Sequence, residues 1–298
     1  MPFLTIFTAP KPFSDPHITM IQRNAIRSWQ QLEDSEVFLV GEETGMAEVA
    51  DDLGVIHLSQ VRRNAQGTPL VSSIFELARQ RSQAPYLVYL NADILLLPDF
   101  PIAVSQVAKQ AERFLIVGQR WDLDVRQVLD FSPGWETRLR QEVLRRGALH
   151  PPAGSDYFAF PRGLYSNMPD FAIGRAGWDN WTIYHAVSQG LAVVDVTPSA
   201  MVIHQSHDYS HLPGGQPHYN LDESIRNQEM AGGMAHMYMV LDTNRQLIQG
   251  KLRSPRPSLL RTIRRAEILL MPEDHSGGAR WWLARRMRRM RRSISGSL

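Results

Sequence analysis

Residues Tyr86–Phe100 read YLVYLNADILLLPDF and are the segment most informative about the fold. Residues 86–90 have the apolar and aromatic composition of a buried strand, and a second apolar run follows at 94–97. Asn91 and Asp93 lie between the two runs. These residue types favour a turn, and they also suit Mg²⁺ or Mn²⁺, which take oxygen ligands and bridge diphosphate oxygens. The triplet alone does not decide between a turn and a metal site.

Upstream of this stretch, short apolar runs alternate with helical patterns, which predicts a mainly parallel sheet covered by helices. Asp15 followed by Pro16 is typical of a helix start, and Thr68 is predicted to cap a later helix. The predicted strands are 3–7, 37–40, 55–58 and 86–90, and the predicted helices run from 16 past 29, over 46–53 and from 68 to about 81.

The turn after the first strand argues against two common classes of nucleotide-binding protein. It reads Thr8-Ala9-Pro10 and lacks the glycines of a dinucleotide site or a P-loop. In open sheets, ligands bind beyond the carboxyl ends of the strands. The end of the fourth strand, at Asn91 and Asp93, is therefore the expected site.

The second half carries further polar groups at the ends of predicted strands and helices. A strand at 114–120 runs into Arg120 and Asp122, which fit either sugar recognition or a salt-bridged loop. Asp156 stands just before an aromatic strand. Asp179 lies in GWDNW, where a helix begins, and two tryptophans beside it supply a stacking surface for a sugar. Its alternative role is to satisfy the free N–H groups of that helix start.

Residues 204–211 read HQSHDYSH and contain three histidines and Asp208. Three histidines within eight residues after a buried strand indicate a metal site more strongly than a lone histidine does. The spacing differs from HExxH, which disfavours a zincin protease.

Three features resemble nucleotide-sugar glycosyltransferases of the glycosyltransferase-A fold, in particular the family 2-like enzymes. They are the polar turn after the first strand, the segment RRNAQGTPLVSSIFELA at 62–78, and Asn91-Ala92-Asp93 in the position of a D-x-D motif. The resemblance covers roughly residues 1 to 245. It implies an α/β fold, a three-layer sandwich with a mainly parallel central sheet.

The resemblance also implies roles for individual residues. Asp93 would bind the Mn²⁺ or Mg²⁺ that holds the donor diphosphate, with His204 as the best additional ligand and His207 as the second choice. Asp179 would be the general base of an inverting transfer. Asn91 departs from the family's first aspartate and removes a charge, which weakens the expected metal dependence. The residues expected to contact the donor are Thr8, Ala9, Arg63, Asn64, Asn91, Asp93, Arg120 and Asp156.

Composition excludes several classes of protein. The 298 residues are 43% hydrophobic and 21% charged, as in ordinary globular proteins. With no cysteine, disulfide scaffolds, thiol catalysis and cysteine-ligated zinc are excluded. No apolar run is long enough to span a bilayer, and the start of the chain lacks the pattern of a signal peptide. A cytoplasmic location, with peripheral contact to the inner face of the membrane, is the expectation.

The end of the chain differs in charge from the rest. From Arg245 onward there are 14 basic and 3 acidic residues, whereas the preceding part is net acidic. We therefore expect a catalytic domain at 1–245 and a helical, arginine-rich extension at 246–298.

A helix within 280–294 would place four apolar residues on one stripe among arginines: Leu283, Met287, Met290 and Ile294. Trp281 and Trp282 lie at one end. This pattern is typical of a helix that lies on an anionic membrane surface, and a helix packed on the acidic body is the alternative. Nucleic acid is not expected, because no recognised nucleic-acid module accompanies the charge.

The sequence thus predicts a metal-dependent glycosyltransferase that uses a UDP- or GDP-linked sugar and a hydroxyl acceptor, in cell-envelope or lipid-linked glycan synthesis. Three alternatives stay open. A sugar nucleotidyltransferase would carry a glycine-rich basic loop that the turn after the first strand lacks. A metal-dependent hydrolase would use the histidine cluster, and the missing charge at Asn91 leaves room for a non-enzymatic adaptor at a membrane surface.

Overall fold

A computed structural model of the chain describes residues 1–153, 155–207, 221–272 and 277–295. Asp208 and His211, two members of the sequence cluster HQSHDYSH, lie outside these residues.

Strands and helices alternate along the first half of the chain, as predicted. The strands are β1 (Leu4–Thr8), β2 (Ser35–Val40), β3 (Ile56–Leu58), β4 (Tyr86–Leu90), β5 (Ile94–Leu96), β6 (Phe114–Val117), β7 (Trp121–Leu123), β8 (Ala148–Leu149), β9 (Tyr157–Pro161), β10 (Ala192–Asp195), β11 (Val202–Gln205), β12 (Arg245–Ile248) and β13 (Lys251–Arg253). The helices are α1 (Pro16–Gln30), α2 (Met46–Leu53), α3 (Val71–Arg81), α4 (Asp99–Ala108), α5 (Trp135–Arg146), α6 (Trp178–Ser188), α7 (Asp222–Met230), α8 (Leu259–Leu270) and α9 (Gly278–Ser295), with 3₁₀ turns at Met234–His236 and Val240–Asp242.

The predicted, mainly parallel central sheet is confirmed. Its nine strands have the order β13-β12-β10-β6-β9-β4-β1-β2-β3. β1 pairs in parallel with β2 and β4, and β10 pairs in parallel with β6 and β12. β9 runs antiparallel between β4 and β6. Because β9 is reversed, its first residue lies at the edge where the parallel strands end.

Helices cover both faces of this sheet, which makes the predicted three-layer sandwich. Leu4 and Ile6 of β1 belong to the core beneath α1, α2, α4 and α5, whereas Phe7 belongs to the core beneath α3 and α6. All five residues of β1 are buried, as expected for a parallel strand that is covered on both faces.

A second sheet of four strands, in the order β5-β11-β7-β8, packs into the first of these cores. β11 pairs in parallel with β7, and this register sets His204 opposite Asp122. β11 also pairs antiparallel with β5, which sets His204 opposite Ile94. The small sheet therefore brings His204 next to the turn that holds Asp93.

Of the two helix caps predicted from the sequence, Asp15 is confirmed and Thr68 is not. Asp15 caps α1, since its Oδ1 accepts a hydrogen bond of 2.8 Å from the N–H of Ile18. The prediction that Thr68 caps α3 is wrong, because α3 begins at Val71 and Leu70 occupies the cap. The N–H of Thr68 donates to Asn64 Oδ1 at 2.9 Å instead, so the backbone is still in a loop there.

The part of the chain after 245 contributes to two different structures. β12 and β13 extend the central sheet, so this sheet continues past residue 245. α8 and α9 pack on each other, and α8 contacts the 3₁₀ turn Val240–Asp242. Across the described ranges, every helix is too short or too polar to cross a bilayer.

Candidate active site

The polar groups of the site converge on the carboxyl edge of the central sheet. Asn91 and Asp93 follow β4, and Lys11 follows β1. Asp156 directly precedes the reversed strand β9, which places it at the same edge. The small sheet supplies a second group of residues to this edge: Arg120, Asp122, His204 and His207.

Asp93, His204 and His207 form a cluster of metal-ligating groups. Asp93 Oδ2 lies 3.0 Å from His207 Nε2 and 3.9 Å from His204 Nε2. One ligand atom from each of the three lies within 4.8 Å of the others. The structure thus places His207 nearer to Asp93 than His204, which the sequence ranked first. The sequence predicts that His204 directly follows a strand that ends at residue 203. In the structure, His204 is instead the third residue of β11.

The donor atoms of this cluster fit a divalent cation. Asp93 is only 9% exposed, and its Oδ1 is buried without a hydrogen-bond partner in the structure. Burial alone would raise the pKa of Asp93, but the hydrogen bond with His207 and the nearby cationic groups outweigh it and hold that pKa below its usual value. The carboxylate therefore stays ionised and offers a free oxygen, as a metal ligand must. Asp93, His204 and His207 are the residues that would hold the ion.

Asp122 fixes the orientation of His204. Its Oδ1 lies 3.0 Å from His204 Nδ1, and its Oδ2 lies 2.7 Å from His150 Nδ1. Burial would raise the pKa of Asp122, but hydrogen bonds with both histidines and the charge of Arg120 lower it. Since an ionised carboxylate can only accept, Nδ1 of His204 carries a proton, and Nε2, the ring nitrogen nearer to Asp93, is the atom that would bind a metal.

A chain of polar contacts joins this pair to the turn after β4. Arg120 Nε donates to Asp122 Oδ1 at 2.9 Å, and Arg120 Nη1 also bonds Asp156. Asp156 Oδ1 in turn accepts from Asn91 Nδ2 at 2.9 Å. Arg120 therefore pairs with both Asp122 and Asp156. This agrees with the salt-bridged loop, one of the two interpretations that the sequence leaves open for Arg120.

Lys11 places a cation beside the cluster. Its Nζ lies 3.4 Å from His207 Nε2. Burial lowers the pKa of Lys11, and the charge of Asp93 opposes this effect. The ammonium group therefore adds positive charge directly beside Asp93 and His207.

Asp179 occupies the first turn of α6, as predicted. Gly177 precedes this helix with φ at 113°, a left-handed conformation that favours glycine, and its N–H donates to Asp179 Oδ1 at 3.3 Å. Burial raises the pKa of Asp179 to about 6, and the charge of Asp156 adds to this effect. Asp179 thus lies within electrostatic reach of the network around Asp156.

The structure directs Arg63 and Asn64 to contacts outside the cluster. Arg63 Nη2 pairs with Glu43 Oε1 at 3.1 Å, and Asn64 Nδ2 donates to Glu223 Oε1 at 2.7 Å. Thr8 is the last residue of β1, and Ala9 follows it, so both lie at the carboxyl edge. Asp124, at the surface, pairs with Arg126 at 2.7 Å.

Two residues of this site, Lys11 and His150, are not predicted from the sequence, although Lys11 follows the first strand, where ligands of open sheets bind. For Asp122 the sequence leaves sugar recognition and a salt-bridged loop open, and the structure shows it paired with Arg120 and also holding His204. Alternation of QRWDLD around residue 122 could have shown a strand there, but no local signal shows that this strand pairs with β11.

The comparisons with known proteins concern the fold. No protein-family model matches the chain, and no curated protein sequence matches it. The chain is similar to the mannosyltransferase PcManGT from Pyrobaculum calidifontis, solved with GDP-Man and Mn²⁺, at 16% identity and a TM-score of 0.43, over 70% of this chain and 58% of that one.

Two further solved structures are similar to it. TarS from S. aureus has 10% identity and a TM-score of 0.49, over 91% of this chain and 43% of that chain. Glucosyl-3-phosphoglycerate synthase from Mycobacterium tuberculosis, solved with Mg²⁺ and UDP, has 15% identity and a TM-score of 0.45, over 87% and 88%. The chain thus spans less than two thirds of the length of the first two proteins. At these values the activity has to be argued from the residues of the site.

Proposed function

We propose that the chain is a metal-dependent glycosyltransferase that moves a sugar from a nucleotide-diphosphate donor to a hydroxyl acceptor. The observation that carries this proposal is the cluster of Asp93, His204 and His207, with Lys11 beside it, at the carboxyl edge of a mainly parallel sheet. A bound cation and an ammonium group together suit the two negative phosphates of such a donor.

Unsatisfied polar atoms support a polar ligand along this same edge. Seven buried side-chain atoms of the described residues have no hydrogen-bond partner, and four of them belong to residues at or just after the carboxyl ends of β1, β2 and β4 or just before β9. These four are Thr8 Oγ1, Glu43 Oε2, Asp93 Oδ1 and Ser155 Oγ. Buried groups of this kind are ordinarily satisfied, so their concentration at one edge is what a nucleotide site would require. Arg63, paired with Glu43, would lie beside that nucleotide.

The donor set favours Mn²⁺ over Mg²⁺. Two imidazoles accompany one carboxylate, and imidazole suits transition metals whereas Mg²⁺ prefers oxygen ligands. When bound, such an ion would hold the diphosphate oxygens and stabilise the charge that develops on the leaving nucleotide. Lys11 would add a second positive charge at the diphosphate, and Asp122 would keep the Nε2 atom of His204 directed at the ion.

We further propose that Asp179 is the general base and that the transfer inverts the anomeric centre. Its pKa of about 6 leaves the carboxylate largely ionised at neutral pH but basic enough to accept a proton from the acceptor hydroxyl. Trp178 and Trp181 are both buried in the core beneath α3 and α6, so they do not form the stacking surface for a sugar that the sequence predicts. If α9 holds the chain at an anionic membrane, a lipid-linked or cell-envelope glycan becomes the acceptor class within reach.

Ligand-induced thermal stabilisation tests the proposal. UDP, GDP, CDP and their sugars would be screened with Mn²⁺, Mg²⁺ or EDTA, because a ligand at 100 times its Kd adds about 2.7 kcal/mol of stability. We expect one nucleotide to raise the Tm only with metal, and Asp93→Asn to abolish this shift. Asp124→Asn is the matched control, since that carboxylate lies at the surface. Absence of a shift with every nucleotide would contradict a nucleotide-sugar donor.

A metal-dependent hydrolase is the second candidate, because two histidines and one carboxylate also match the three protein ligands of many catalytic zinc sites. The two candidates differ in their metal and in their need for a nucleotide. Purified protein that retains zinc through EDTA dialysis and shows no nucleotide-dependent shift would favour the hydrolase.

A further inference from the structure

One face of α9 is committed to packing on α8. Glu267 of α8 is fully buried, and its carboxylate bonds Arg288 Nε at 2.8 Å and Arg291 Nε at 2.9 Å. Ala284, on the same face of α9, is also fully buried. Arg264 adds a third guanidinium at 3.0 Å from Glu267. These contacts determine which side of α9 points away from α8.

The opposite side of α9 displays positive charge that is not paired with a carboxylate of the described ranges. α9 contains seven arginines and no acidic residue. Arg288 and Arg291 are paired with Glu267, and Arg280 donates to the carbonyl oxygen of Leu269 at 2.9 Å. The remaining four are exposed and form no ion pair with a described carboxylate: Arg285, Arg286, Arg289 and Arg292.

The clustering of these four arginines does not stabilise α9 itself. Arg285, Arg289 and Arg292 follow one another at spacings of four and three residues, and like charges at these spacings repel each other. Four guanidinium groups on one exposed surface therefore favour an external anion. Guanidinium binds phosphate oxygens in a bidentate fork, which indicates a phosphate-bearing partner.

Apolar side chains accompany the arginines on the exposed side. Trp282 is 50% exposed, Met290 41% and Leu283 38%. Arg286 lies over the ring of Trp282, 5.7 Å from its centroid. Arginines beside exposed tryptophan, leucine and methionine characterise helices that lie in the headgroup region of a bilayer, with the apolar groups entering the acyl boundary.

We propose that the exposed side of α9, formed by Trp282, Leu283, Arg285, Arg286, Arg289, Met290 and Arg292, docks on anionic phospholipid. α8 holds the helix through Glu267 so that this side faces the membrane and α9 lies parallel to its surface. The apolar stripe that the sequence predicted contributes Leu283 and Met290 to this surface. Met287 and Ile294, on the same stripe, are partly covered.

Vesicle flotation with the full-length protein tests this docking. Vesicles of pure phosphatidylcholine would be compared with vesicles that contain phosphatidylglycerol. Each arginine near an anionic surface is worth about a fivefold change in partitioning, so replacing the four exposed arginines with alanine should lower the partition coefficient at least about 100-fold. The matched control removes four exposed arginines elsewhere: Arg81, Arg113, Arg145 and Arg146. Circular dichroism would confirm that both variants are folded.

A second variant separates lipid from other phosphate sources. Trp282→Ser with Leu283→Ser keeps every charge and should still lower vesicle binding about tenfold, because the apolar contribution is lost. Binding that is equal for neutral and anionic vesicles, or unaffected by the four-arginine variant, would overturn the proposal. Tighter binding to a 20-mer DNA duplex than to anionic vesicles would also overturn it. Vesicle binding needs no donor sugar, so its outcome is independent of transferase activity.

Discussion

At the scale of single residues, the site contrasts two carboxylates with opposite surroundings. Asp93 lies among His204, His207 and Lys11, and these groups outweigh burial and lower its pKa. Burial raises the pKa of Asp179 to about 6, and the charge of Asp156 adds to this effect. One carboxylate is therefore suited to hold a cation and the other to accept a proton.

The pKa of Asp179 predicts a pH profile. A raised pKa means that the group is protonated below pH 6 and becomes a base as the pH rises through about 6. We expect kcat to increase through this pH, whereas a carboxylate at the ordinary value of 3.8 would already be fully active there. Steady-state kinetics between pH 5 and 8 measure this.

The variant Asp179→Asn should lower kcat by about 10²- to 10⁴-fold and remove the pH-dependent rise, because the proton acceptor is lost. Donor affinity should be unchanged, which calorimetry checks. Full activity in this variant would exclude Asp179 as the base.

Replacing Asp122 with asparagine should weaken metal binding about 10- to 100-fold, because outer partners orient and polarise ligating histidines. Asparagine can still accept one hydrogen bond, but it cannot hold His204 and His150 with charge at the same time. Calorimetry with Mn²⁺ measures the Kd directly and needs no substrate. Asp124→Asn, two residues away and exposed, should leave the Kd unchanged.

At the scale of elements, local signals locate helix starts when the cap bonds its own first turn. Asp15 does so at α1, whereas α2 coincides with the predicted helix 46–53 without a side-chain cap. At Thr68 the signal fails because Asn64 Oδ1 captures the N–H groups of Gln66 and Thr68 and keeps that segment in a loop. Leu70 then forms an antiparallel bridge with Ala172, and α3 begins only at the next residue, Val71.

The cap of α1 makes a testable contribution. Asp15→Ala removes the acceptor for the N–H of Ile18 and should cost about 1 kcal/mol. This corresponds to a Tm lower by about 2 °C for a chain of this size. Ser14→Ala, at the neighbouring exposed position, is the control and should not change the Tm measurably. An equal loss in both variants would show that the cap does not contribute.

At the scale of the whole molecule, a buried ion cluster joins the last two helices to each other and to the body. Glu267 bonds Arg264, Arg288 and Arg291, and Arg264 also pairs with Asp242 at 3.0 Å. Burial would raise the pKa of Glu267, but the three guanidinium groups outweigh it and lower that pKa. The carboxylate of Glu267 is therefore the group on which all the ion pairs between α8 and α9 converge.

Glu267→Gln should destabilise the molecule by about 3 kcal/mol, because it leaves the buried Arg291 without a counter-charge. Hydrogen exchange over 278–295 should become fast, and urea unfolding should shift to lower concentration. Glu142→Gln is the control, since Glu142 pairs with Arg145 and Arg146 at the surface of α5. It should have little effect, as exposed pairs contribute little.

The same cluster predicts how stability changes with pH. Because the pKa of Glu267 is lowered by folding, its contribution is present above the unfolded value of 4.5 and is lost as the pH falls through the folded value. Thermal unfolding of the wild type should therefore show a Tm that falls below pH 4.5, and Glu267→Gln should reduce this dependence. An unchanged slope in the variant would assign the dependence to other carboxylates.

The layer architecture and the edge at which the site lies can both be predicted from the amino-acid sequence. Periodicity and caps act between neighbours in the chain, so alternating strands and helices could be recognised from 1 to 110, and ligands of such sheets bind where strands end. Asp93, His204 and Asp179 could be named because each follows or precedes a predicted strand or helix.

Which of these residues come into contact depends instead on long-range strand pairing and helix packing. The pairing of β11 with β7 and β5 brings His204 to Asp122 and to the turn of Asp93, across more than 80 residues of chain. The loop after β1 adds Lys11, and Glu267 selects the exposed side of α9. Contacts of this range depend on strand register and on buried charge pairing, and neither leaves a periodic signal in the residues that make them.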